Sequence, residues 1–387
     1  MPGVVSPATS ERAGAIQGFA EERFAKVRDL FAASVASGED LGGSVAITVD
    51  GEMVVDLWGG WADEARTLPW QADTIANVYS TTKTMVSLAA LLLADRSDLD
   101  FAAPVARYWP EFAANGKAAI TVSQVLAHTS GLSGWKEPMA LMDLYDWDKA
   151  TSLLAAQAPF WKPGSASGYH GVTQGYLVGE VVRRITGQTL GTFFRQEMAM
   201  PFDADFHIGL GAQHDARVAE LIPPPPFAPA ADFVPNELMM NIALNPTLDP
   251  LATRTRAWRA AEIPAANGHG NARSIARLHA ILANGGIAGD RRLMSEAGCR
   301  KALEQQIDGI DLVMSTPLRF GLGFGLPGPA LPAPNADTIF WCGWGGSIGV
   351  VDMTARTSFA YVPNRMTMGM LVDARALALL QAMWGAS

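Results

Sequence analysis

Apolar residues at Ile16, Phe19, Val27, Leu30, Phe31 and Val35 recur at helical spacing and stop near Gly38, which predicts a first helix ending there. Beyond it the period changes from about 3.6 to two. In GGSVAITVDGEMVVDLW two β-rich runs flank Asp50-Gly51, a pair suited to the positive φ angles of a tight type I′ turn, so a hairpin is predicted. From about Leu68 to Gly286 the pattern is mainly helical and broken by loops. One of these, Pro223 to Pro226, is excluded from helix interiors and central strands and reads as a lid or a surface excursion. NARSIARLHAILANGG predicts a capped helix closed by Asn284-Gly285-Gly286 in a left-handed C-terminal cap. Strand-like stretches then return in TIFWCGWGGSIGVVDM and TSFAYVPNRM, and a closing helix starts near Asp373.

Strands at both ends of the chain with helices between them predict one sheet assembled from both termini, an α+β or α/β architecture with a mainly helical insertion. The expected division is 1–67 and 287–387 for the part containing the sheet and 68–286 for the helical part, with an active site at their interface.

Composition narrows the function classes. With 387 residues, 49% hydrophobic and 17% charged, the chain can bury a large core. A net charge of −9 leaves no basic footprint for nucleic acid or an anionic membrane surface. The longest apolar run, Met85 to Ala94, is about half of the roughly 20 residues a membrane span requires. Met1 to Ala20 lacks a charged segment followed by an apolar one, so the N-terminus reads as unprocessed and the protein as cytoplasmic. Two cysteines, Cys299 and Cys342, are too few for a disulfide scaffold, and no Cys/His spacing suggests a zinc site. No metal and no cofactor is expected. The oligomeric state is not legible.

The candidate chemistry begins in NVYSTTKTMVSLAALLLADRSD, where Ser80 and Lys83 stand three apart at the front of an apolar run. On a helix such positions are neighbours, so the Lys83 amine reaches the Ser80 hydroxyl. The helix N-terminus adds backbone N–H groups and a positive dipole end beside any anion forming there. A serine hydroxyl needs this help to attack a carbonyl, and a lysine whose pKa is lowered by burial can act as its base. By itself the motif also fits a Ser80 N-cap with a solvated Lys83. A second S-x-x-K, Ser133 to Lys136, lies in a glycine-containing stretch before Pro138 and fixes no common face.

The wider chain resembles the serine β-lactamase-like superfamily, and within it the class C-type esterases called family VIII carboxylesterases. The segments that carry the resemblance appear in family order: NVYSTTKTM, LDFAAPVARYWPEFAANGKAAITVSQVLAHTSGL, KPGSASGYHGVTQGYLVGEVVRRITG, PAANGHGNARSIARLHAILANGG, and WCGWGGSIGVVD with YVPNRM. The resemblance implies the β-lactamase-like fold, with an antiparallel sheet and flanking helices, and Ser80 as nucleophile with Lys83. A family tyrosine usually found in Tyr-x-Asn is matched best by Tyr169 of Tyr169-His170-Gly171, with Tyr176 as the runner-up. The missing Asn leaves the substrate-amide contact open, and His170 is a candidate for it. Beside a Lys83 cation, a Tyr169 phenolate would be favoured and would shuttle a proton to the leaving group.

The usual Lys-Thr-Gly is replaced by Trp341-Cys342-Gly343, which is similar to the Trp-x-Gly of the esterase branch. The resemblance implies that the backbone N–H groups of Ser80 and Trp344 form an oxyanion hole, with Trp341, Gly343 and Gly345 beside the substrate. Read alone, the glycine cluster also fits a β-bulge or tight bend. Gly345 to Gly349 matches the G-x-S-x-G nucleophile elbow, but a strand-like run follows Ser347 where an elbow requires a helix. His128 and His269 are not needed as bases. Trp135, Trp161, Trp258, Trp341 and Trp344 divide between core anchors and pocket walls. The expected function is hydrolysis of short-chain aliphatic or aryl carboxylic esters, small molecules, through a Ser80 acyl-enzyme. The alternatives are a β-lactamase, a D-amino-acid peptidase or amidase, an acyltransferase, or a non-catalytic scaffold.

Overall fold

The computed structural model describes residues 14–226 and 234–386. A six-stranded antiparallel sheet joins both ends of the chain. Its strands are β1 (Gln17–Ala20), β2 (Gly42–Val49), β3 (Glu52–Gly60), β4 (Thr338–Cys342), β5 (Ile348–Asp352) and β6 (Thr357–Pro363), in the order β1-β3-β2-β6-β5-β4. The seam between the two ends pairs β2 with β6, Ile47 opposite Phe359. Asp50 and Gly51 both have positive φ, 51° and 85°, so β2 and β3 form the tight hairpin the sequence predicts.

Alternation along the central strands buries both faces. Val45 and Ile47 of β2 join Phe359 and Tyr361 of β6 in a cluster with Val27 and Phe31 of α1 (Ala25–Ser37) and Leu379, Leu380 and Met383 of the closing helix Ala374–Trp384. Ala46 and Ala360 face the other way, into a cluster with Ile275, Leu278 and Leu282 of the helix Ala272–Ala283. Each such large apolar side chain contributes about 1.5–3 kcal/mol by leaving water. Asn271 caps that helix by accepting from the Ser274 amide at 2.9 Å. Its apolar residues pack on the sheet, so this helix belongs with the sheet and not with the helical part expected over 68–286; helical periodicity marks an apolar stripe but not the surface that covers it. A second difference lies at the front, where Ile16 to Phe24 do not extend α1. Gln17–Ala20 pair with β3 as an edge strand, an option that four residues of periodicity cannot distinguish from a helical turn.

The stretch between the two halves of the sheet is mainly helical, centred on α2 (Thr82–Asp95), which is buried from Thr82 to Leu93. The Pro223–Pro226 run has no regular structure, and the residues after it lie outside the described ones. Among the described residues no helix is long and apolar enough to cross a membrane.

A buried charge network anchors the closing helix. Arg375 reaches Asp40 at 2.8 Å and Asp373 at 3.0 Å, with side-chain exposures of 5%, 1% and 3%. Tyr361 and Ser34 donate to the same Asp40 carboxylate at 2.6 and 2.7 Å. Arg375→Met strands two buried carboxylates and is expected to cost about 3–5 kcal/mol, read as a lower midpoint in denaturant unfolding.

Candidate active site

The chain reaches Ser80 through a strained step. Tyr79 has φ 41°, in the left-handed region, and its buried ring lies 5.1 Å from that of Trp344. Holding a tyrosine there costs of order 1–3 kcal/mol and persists because the surroundings fix it. Ser80 does not open the helix itself. It sits in a 3-10 turn, Tyr79–Thr81, directly before α2, and its half-buried hydroxyl is free of any capping duty.

That hydroxyl meets both expected partners. Lys83 Nζ lies 2.9 Å from Ser80 Oγ, and Tyr169 donates its phenol hydrogen to the same oxygen at 2.6 Å. Lys83 is 1% exposed, and its Nζ also donates to the carbonyls of Gly171 at 2.7 Å and Ala265 at 3.0 Å. Two N–H bonds to those carbonyls leave the lone pair of a neutral amine directed at Ser80. Burial pushes the Lys83 amine well below its ordinary range. The Tyr169 phenol is pushed up, again by burial, although the Ser80 and Trp341 hydrogen bonds oppose the shift. The phenolate expected beside a lysine cation is therefore not the resting form: neutral amine and neutral phenol are favoured together.

Tyr169 is held from several sides. Asp311, fully buried, accepts its backbone N–H at 3.0 Å, and Trp341 Nε1 donates to its phenol oxygen at 3.3 Å. The His128 ring packs edge-on, 5.1 Å from the Tyr169 ring, and its Nδ1 accepts from the His170 amide at 3.1 Å. Tyr176 is excluded as an alternative, since its hydroxyl donates to the Leu144 carbonyl within the core.

The residues expected to line the substrate are more deeply placed than anticipated. His170 is fully buried: its Nδ1 pairs with the Gly168 carbonyl at 2.6 Å and its Nε2 with Ser130 Oγ at 2.6 Å. Burial lowers its pKa to about 3, so it is a neutral structural residue and not a substrate contact. Trp341 is 3% exposed and backs Tyr169. Gly345 is covered by Met366, which a Cβ at that position would meet at 2.6 Å. Gly343 packs on the turn that carries Ser80, where a Cβ would lie 2.1 Å from the Val78 carbonyl. Trp344 alone of this group is half-exposed. Trp135 and Trp258 are core residues, with their indoles donating to Ala150 O and Asn77 Oδ1. His269 is buried, and its Nδ1–H donates to the Asn267 carbonyl at 2.7 Å.

Residues 343–347 form a turn in which the Gly346 amide donates to the Gly343 carbonyl at 3.0 Å. In a trans peptide the N–H points opposite to the carbonyl. With the Gly343 oxygen directed into the turn, the Trp344 N–H points out of it, and it donates to no acceptor among the described residues. Ser347 is buried and leads into β5, as the strand-like run after it predicted. Ser133 is likewise buried, and its hydroxyl makes no hydrogen bond to Lys136 or to any other described residue.

A serine turn facing a lysine, a tyrosine and the edge of an antiparallel sheet agrees with the family comparison: the β-lactamase family model matches residues 27–382. The chain belongs to the β-lactamase family. Within it the chain is 38% identical over 375 residues to the esterase/β-lactamase LipL of Mycobacterium tuberculosis, covering 90% of this chain and 83% of LipL. Among solved structures it is similar to a family VIII carboxylesterase, with TM-score 0.91 and 42% identity over 96% of this chain and all of the other. A penicillin-binding protein homologue from Caulobacter crescentus matches at TM-score 0.89 and 38% identity, with 96% and 100% coverage. The β-lactamase-like fold and the family VIII resemblance read from the sequence are thereby established, and the protein is a hydrolase of the esterase/β-lactamase type.

Sequence reasoning missed Asp311, His128's support of Tyr169, and the Gly171 and Ala265 carbonyls. The two carbonyls belong to the backbone and carry no side-chain signal, and Asp311 stands in a segment, GIDLVMST, with no pattern of its own.

Proposed function

We propose that the protein hydrolyses neutral carboxylic esters through an acyl-enzyme on Ser80. The observation that carries this reading is the doubly bonded Ser80 hydroxyl, with a lysine whose remaining N–H directions are taken by two carbonyls. Neutral Lys83 accepts the Ser80 proton as Oγ attacks the ester carbonyl carbon. The charge developing on the carbonyl oxygen is met by the Ser80 and Trp344 N–H groups. Tyr169 then passes its phenol proton to the departing alkoxide and regains one from the Lys83 ammonium. Water attacks the acyl-enzyme, the same groups move protons in reverse, and the carboxylic acid leaves.

The substrate class follows from position 341. No cation is offered there, and Trp341 is turned to Tyr169. Arg319 is occupied by Gln305, Asp308 and the Pro327 carbonyl. A substrate carboxylate placed there would lose water without gaining an ionic partner, at a cost of the order of kilocalories per mole. A neutral p-nitrophenyl ester of a short acid is therefore expected to exceed penicillins and cephalosporins in kcat/KM by at least about a hundredfold, roughly 2.7 kcal/mol of discrimination. Side-by-side kinetics check this, and equal efficiency on the two classes would refute it. The double name of the mycobacterial relative supports weaker β-lactam turnover as a side activity, with the half-buried Arg365 as the remaining cation to test.

A further inference from the structure

Two donors of an oxyanion hole that come from different loops must be held at one spacing, because stabilisation depends on donors lying about 2.7–3.1 Å from the oxygen. Ser80 belongs to the turn before α2, and Trp344 to the turn between β4 and β5. Besides the packing of the Tyr79 ring on Trp344, a hydrogen-bonding side chain joins the two. Ser347 Oγ donates to the Val78 carbonyl at 2.8 Å and pairs with Thr81 Oγ1 at 2.9 Å. Val78 and Thr81 bracket the 3-10 turn that carries Ser80, since the Thr81 amide also donates to the Val78 carbonyl at 3.2 Å. Ser347 thus grips both ends of the nucleophile's turn. Its own backbone closes the other turn, the Ser347 carbonyl accepting from the Gly343 amide at 2.7 Å.

The surroundings leave this contact no slack. Ser347 is 5% exposed and Thr81 is fully buried. A Cβ on Gly343 would fall 2.4 Å from Ser347 Oγ and 3.2 Å from the Ser80 nitrogen, so the two backbones meet where the serine ties them. A structural hydroxyl serving only β5 would have no reason to bond on either side of Ser80.

We propose that Ser347 is a positioning residue for the reaction: its hydroxyl fixes the Trp344 N–H relative to the Ser80 N–H and so sets the geometry of the oxyanion hole. The proposal rests on the ester-hydrolase reading above. Ser347→Ala is expected to lower kcat for a p-nitrophenyl ester about 10- to 100-fold with KM changed less than about threefold, and to weaken a trifluoromethyl ketone, a mimic of the tetrahedral adduct, by a similar factor. Thr81→Val, which removes the partner hydroxyl at nearly constant volume, should show the same split to a smaller degree, and Thr81→Ser should restore it. This pair keeps the test open if Ser347→Ala folds poorly. A lowered melting temperature with kcat and ketone affinity unchanged in the folded variants would overturn the proposal. Absence of ester turnover and ketone binding in the wild type would instead overturn the functional reading on which it stands.

Discussion

Ser80→Ala is expected to abolish ester turnover, with kcat falling by about a millionfold, the scale seen when an acyl-enzyme nucleophile is removed. The fold should survive. Lys83 keeps its bonds to the Gly171 and Ala265 carbonyls, and Tyr169 keeps the Trp341 indole as a donor. Only the two contacts to Oγ are lost, which limits the change in stability to about 1–3 kcal/mol. A fluorophosphonate should label the wild type on Ser80, mapped by peptide mass, and leave the variant unlabelled. Label on Ser133 or Ser347 would overturn the assignment. Neither is expected: Ser133 is buried and its hydroxyl has no hydrogen-bond partner to activate it, and Ser347 has both sides of its hydroxyl engaged.

The parts of this site that the sequence makes legible share one property: they are carried by side chains at fixed local spacing. Ser80 and Lys83 are three residues apart, and the short turn before α2 preserves their contact even though the turn is 3-10 and not the first turn of the helix. The β2–β3 hairpin was legible because Asp50-Gly51 has few alternative conformations. Local spacing fails where the partner is distant or is backbone. Nothing in Tyr169-His170-Gly171 indicates that the third residue contributes its carbonyl to Lys83, or that the second folds back on Gly168 and Ser130. A tryptophan in place of a lysine at 341 suggested an apolar wall, yet its indole N–H needed a partner and found the phenol of Tyr169.

The G-x-S-x-G match is instructive in a different way. Its rejection as an elbow depends on β5, an element readable from alternation alone. Its position against Val78 and Thr81, by contrast, arises from packing between segments more than 260 residues apart, as the separations of 266 and 269 show. Tertiary proximity of this kind has no periodic signature.

Lys83→Met is expected to cost about a thousandfold or more in kcat, because the general base of both half-reactions is removed. Tyr169→Phe should cost a comparable factor, and the double variant little more than the worse single one, since both groups serve one oxygen. Strict additivity in this cycle would contradict a shared relay. Lys83 also leaves a thermodynamic trace. In the folded protein burial holds its amine well below the ordinary value of 10.5, to which it returns on unfolding. Between those two values the unfolded chain binds the extra proton, so the wild type gains stability as pH rises, by up to about 1.4 kcal/mol per unit. Lys83→Met removes that contribution. Unfolding free energies of wild type and variant, measured from neutral to alkaline pH, should therefore diverge in favour of the wild type until about 10.5, where the lysine of the unfolded chain has lost its proton too. Over the same range Lys83 stays a neutral base and kcat/KM of the wild type should not fall through it; the fall is expected at lower pH, where Lys83 takes up its proton and ceases to be a base. Parallel stability curves would mean that Lys83 is charged in the folded protein, and the base would then have to be sought in Tyr169.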